Sequence, residues 1–152
     1  MNRIIQEILS VKKLPVLIAL LVIFVLRVVS QLVQYMFDLR FFPSFSKLHS
    51  GFVSYEILLV MQTIIILIFI KTIYKIYTTR IQLSTKRGYG LIVSGSLYFC
   101  FMLFRFIAGL TFLKNVNWFA YPIPSFFHMV LALFLIILGF YFLSETRVSK
   151  ND

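Results

Sequence analysis

Four ionisable side chains stand inside long apolar stretches of this sequence: Arg27, Glu56, Arg105 and His128. A charged group near the centre of a hydrocarbon layer costs at least ~2.5–3.5 kcal/mol unless it is paired or hydrated, so each needs a partner or a task. Two guanidiniums and one carboxylate can form a bidentate Arg–Glu pair and leave one positive charge to receive an anion. A neighbouring histidine adds a proton-responsive polar group.

Helical spacing places other polar and small residues beside each of the four. Arg27, Gln31 and Tyr35 follow one another at intervals of four, and Glu56 and Thr63 are seven apart. Ser94, Tyr98, Arg105 and Gly109 share one side of the third stretch; Ser125, His128, Ala132 and Gly139 share one side of the fourth. Small residues on a polar stripe suit the packed interior of a membrane bundle, so the four faces are expected to turn toward one another. The resulting ligand-binding set is Arg27, Gln31, Glu56, Tyr98, Arg105 and His128. Arg105 is expected to contact the ligand, with Glu56 orienting it, His128 as polar partner, and Arg27 with Gln31 as the opposite wall. An anionic or carbonyl-bearing amphiphile, a lipid or a quinone, matches that chemistry.

Other chemistries find less support. Haem b could be carried through His128, with His49 the only other imidazole, and an electron-transfer subunit is the alternative function. His49 stands roughly 9 Å further out than His128 by helical rise, so the two do not share one depth. Cys100 is the single cysteine, which excludes an intrachain disulfide or a cysteine-based metal site. No HExxH, GxSxG or Walker A pattern occurs, and a Ser125–His128–Glu56 triad is less economical than Ser125 capping the turn after Pro124. A non-enzymatic protein is therefore expected.

The elements that must position these residues follow from composition. In 152 residues, 61% are apolar and 13% charged, with 18 phenylalanines. Soluble domains carry roughly 45–50% apolar and about 25% charged residues, which rules out an ordinary soluble enzyme. Four blocks, 14–37, 52–76, 90–113 and 124–144, reach the ~20 residues needed to cross a bilayer. The fold class is all-α, an integral membrane four-helix bundle in a single domain. Residues 3–13 place Ile4, Ile5, Ile8 and Leu9 opposite Arg3 and Glu7, which predicts a short interfacial N-terminal helix.

Orientation comes from the basic residues. Arg3, Lys12, Lys13, Lys71, Lys75, Arg80, Lys86, Arg87, Arg147 and Lys150 fall on the side shared by the termini, against Arg40, Lys47 and Lys114 on the other. That bias predicts both termini in the cytoplasm, in a cell (inner) membrane, with the first block kept as a span rather than cleaved as a signal peptide. Counting ~1.5 Å per residue then places all four ionisable groups in the outer half, from ~3 Å for Arg27 to ~9 Å for His128. The net charge of +10 reads as topology and headgroup attraction, with no nucleic-acid partner. A membrane partner subunit is a further expectation.

Overall fold

The computed structural model describes residues 2–40, 53–78, 84–113, 115–116, 119 and 121–149. They form four α-helices: α1 (Asn2–Phe37), α2 (Tyr55–Tyr77), α3 (Thr85–Leu110) and α4 (Pro122–Ser149). Each contains a stretch long and apolar enough to cross a membrane. The segment expected to lie apart along the interface is instead the start of α1, which runs unbroken from Asn2 through Pro15. Pro15 removes only one donor, and the helix continues on both sides of it.

Local chemistry explains the ends. Helix α1 stops at Asp38, whose φ of 41° is left-handed, a conformation that Asp tolerates better than most residues. Gln34 secures that stop: its side-chain amide donates to Asp38 Oδ1 (3.1 Å), while its Oε1 accepts from the Leu39 N–H (3.1 Å). Helix α4 begins at Pro122, two residues earlier than the expected start. Proline fits a first turn because its missing N–H has no intrahelical partner there. Ser125 thus lies inside the first turn, buried, and its hydroxyl makes no hydrogen bond among the described residues, which corrects its expected role as a cap.

Consecutive helices run antiparallel. Lys13 near the start of α1 donates to Phe140 O (3.2 Å) and Ser144 Oγ (2.8 Å) near the end of α4. Backbone contacts join α1 to α2, α1 to α4 and, most extensively, α3 to α4. Helix α4 is the axis: 50% of its most apolar window is buried, against 11% for α2. The core comprises Leu17, Phe24 and Val28 of α1, Phe69 and Ile76 of α2, and Leu131, Phe134, Leu138, Tyr141 and Phe142 of α4. Phe69 stacks on Phe134 with centroids 3.6 Å apart and planes within 6°, tying α2 to α4 through rings.

The buried positions repeat every seven residues. They include Leu17, Phe24 and Gln31; Tyr55, Gln62, Phe69 and Ile76; Gly88, Gly95, Met102 and Gly109; and Ser125, Ala132 and Gly139. A seven-residue period keeps one narrow seam facing a neighbour, as in left-handed coiled packing. Between α3 and α4 the seam is made of small residues. A Cβ on Gly139 would sit 2.8 Å from Gly88 O, and one on Gly95 3.2 Å from Ala132 O. Backbones therefore approach closely there, which small residues allow.

Candidate functional site

The polar residues gather toward the end where α1 and α3 finish and α2 and α4 begin. Arg27 and Gln31 lie one turn apart on the buried side of α1, and Arg27 Nη1 donates to Gln31 Oε1 (3.2 Å). Across the interface, Gln62 Nε2 of α2 donates to the same oxygen (3.2 Å). One carbonyl oxygen with two lone pairs thus joins α1 to α2 and orients the guanidinium. From α4, Phe127 completes the setting, its ring centroid 4.8 Å from Arg27 Cζ, within cation–π range.

A second polar pair links α3 and α4. Tyr98 Oη and His128 Nδ1 are 2.7 Å apart, with the rings edge to face. With the phenol donating, the ring proton sits on Nε2, which makes His128 a donor toward a carbonyl. Arg105 is buried on α3.

Between α1, α2 and α4 lies a cavity of about 420 Å³. Arg27, Gln62 and His128 are its polar lining; the remainder is apolar, with Phe24, Ile57, Leu58 and Leu131 among it. Small-molecule sites span roughly 300–1,000 Å³ and combine apolar walls with a few polar groups, and this cavity has that character. Gln62 Oε1 is buried with no hydrogen-bond partner among the described residues.

The expected set is therefore only partly convergent. Arg27 and His128 reach the cavity wall, Gln31 and Tyr98 hold them from behind, and Arg105 is buried nearby without lining the cavity. The Arg–Glu pair is corrected: Glu56 is exposed rather than buried with the arginines, and its Oε1 is 3.5 Å from the Tyr35 hydroxyl, itself exposed. The physical reason is a rotation of α2. Its buried stripe is Tyr55, Gln62, Phe69 and Ile76, one residue away from Glu56 and Thr63, which turns those two about 100° off the interface. Ser94 is likewise exposed. His49 lies outside the described residues.

Gln62 and Phe127 are the site residues that sequence reasoning missed. Gln62 was identifiable in principle, since it shares a seven-residue stripe with Tyr55, Phe69 and Ile76. The chain matches no family model, no curated protein and no solved structure.

Proposed function

We propose that this chain is a membrane-spanning four-helix bundle, non-enzymatic, that binds an anionic or carbonyl-bearing amphiphile between α1, α2 and α4. It would serve as an accessory subunit or small binding or transport unit, with both termini cytoplasmic and the cavity in the outer half. The membrane reading is supported by an inverted distribution of polarity. Arg27, Gln31, Gln34, Gln62, Arg105 and Ser125 are buried, whereas Leu26, Val60, Leu67, Leu97 and Phe104 are exposed. A surface of that kind aggregates in water and is stable against lipid tails.

The observation that carries the ligand reading is that Arg27, Gln62 and His128 line one apolar cavity. A guanidinium grips phosphate, carboxylate or carbonyl oxygens, and the neighbouring amide and imidazole add hydrogen bonds. The surrounding Phe24, Ile57 and Leu58 suit a hydrocarbon tail. The quinone and the lipid share this chemistry, and separate probes distinguish them.

The test uses the full chain in detergent with decylubiquinone and, separately, phosphatidylglycerol as probes. Retention of one probe by the wild type, reduced at least about tenfold in Arg27→Gln at unchanged melting temperature, supports the reading. Leu58→Trp, which fills the cavity, should reduce it similarly. Equal retention by the wild type and both variants overturns it.

A further inference from the structure

The opposite end of the molecule holds a second, separate space. Helices α2 and α3 make no close backbone contact, and between them, over α4, runs an open groove of about 490 Å³. Its floor is Leu91, Leu138 and Phe142, and its rim carries Lys75 from α2 and Arg87 from α3. Thirteen residues of α2 separate Lys75 from Gln62, roughly 20 Å along the helix, so the groove is distinct from the first cavity.

We propose that this groove binds one anionic phospholipid, with Lys75 and Arg87 holding the phosphate and an acyl chain lying over Leu91, Leu138 and Phe142. Charge complementarity identifies the occupant. Two cations from different helices flank an apolar channel, with no carboxylate among its described lining residues. The hydroxyls of Thr72 and Ser94, also in the lining, donate to Ile68 O (2.8 Å) and Leu91 O (3.3 Å) of their own helices, so the two cations supply the grip. Exposed Tyr74, Tyr77 and Tyr89 mark the same level of the structure, as aromatic residues do at a headgroup boundary. An ammonium and a guanidinium at that level attract anionic lipid, and the channel beside them accommodates its tail.

Gly90 gives a direct handle on the groove. A Cβ there meets nothing within 4 Å, and Gly90 is part of the lining, so a larger side chain fills the channel without touching the helix seam. Gly88, two residues earlier, is the opposite case, with Leu143 Cδ2 2.9 Å from its would-be Cβ.

This inference rests on the membrane-spanning reading but not on the ligand of the first cavity, and the experiment separates them. The full chain is placed in nanodiscs of equal phosphatidylglycerol and phosphatidylethanolamine, and retained lipid is read by native mass spectrometry. The wild type should keep one phosphatidylglycerol at about 10–30-fold preference over phosphatidylethanolamine. Lys75→Gln/Arg87→Gln should lose the preference, and Gly90→Leu should lose the lipid itself at unchanged melting temperature. Arg27→Gln should retain it, whatever happens to the first cavity. Millimolar inorganic phosphate should not displace it. No preference in the wild type, full retention in Lys75→Gln/Arg87→Gln, loss in Arg27→Gln alone, or displacement by free phosphate would each overturn the proposal.

Discussion

The side-chain amide of Gln62 donates to Gln31 Oε1 at 3.2 Å, a buried hydrogen bond that joins α2 to α1. The same oxygen accepts from Arg27, so the two glutamines do not contribute equally. Gln31→Leu removes the acceptor of both donors and should cost about 2–3 kcal/mol, because buried polar groups are left without it. Gln62→Leu loses one interhelical bond, worth about 0.6–1.7 kcal/mol between membrane helices, and also removes a buried carbonyl that has no partner among the described residues. Its net cost should stay under about 1 kcal/mol. Reversible unfolding in mixed micelles measures both, and equal losses would contradict the shared-acceptor arrangement.

The α3–α4 seam predicts a contrast between glycines. Gly139→Ala would bring a Cβ to 2.7 Å from Ile92 Cγ1 and 2.8 Å from Gly88 O, so the helices must separate. Overpacking of this kind costs about 1–3 kcal/mol. Gly109→Ala meets the Phe119 carbonyl and should be at least as harmful. Gly90→Ala meets open space and should be neutral or stabilising by up to about 1 kcal/mol, since alanine is the better helix former. Melting temperatures of the three variants check the order.

Tyr98→Phe deletes the 2.7 Å bond to His128 while keeping the ring. Stability should fall by about 0.5–1.5 kcal/mol, and the ¹⁵N resonance of His128 Nδ1 should move as its partner disappears. An unchanged resonance would show that the pair is not formed.

Glu56→Gln tests the corrected face of α2. Because Glu56 is exposed, the variant should retain amphiphile as the wild type does, with stability within about 0.5 kcal/mol. Loss of binding comparable to that of Arg27→Gln would return the carboxylate to the site.

Cys100 reports on what covers the outer faces. Its side chain is exposed on α3, fifteen residues into a 26-residue helix. In a bilayer, a membrane-impermeant maleimide should leave it unlabelled, and denaturation in SDS should expose it to full labelling. Ready labelling in intact vesicles would place water, not lipid, against that face.

Residue order alone determined that the chain holds four stretches long and apolar enough to cross a membrane as helices, because a 20-residue apolar run is a one-dimensional property. The small residues Gly88, Gly95, Ala132 and Gly139 could also be read as seam positions from their spacing, and α3 and α4 meet there. On α2 the sequence was ambiguous: that helix is apolar on every side, so Glu56 and Thr63 marked a face as plausible as the one holding Gln62. Tertiary packing decided between them, because the stacking of Phe69 on Phe134 and the bond from Gln62 to Gln31 require one rotation of α2 and exclude its neighbour 100° away. The cavity exists only as a consequence of that rotation, since it is bounded by three helices whose mutual angles no single stretch of sequence contains.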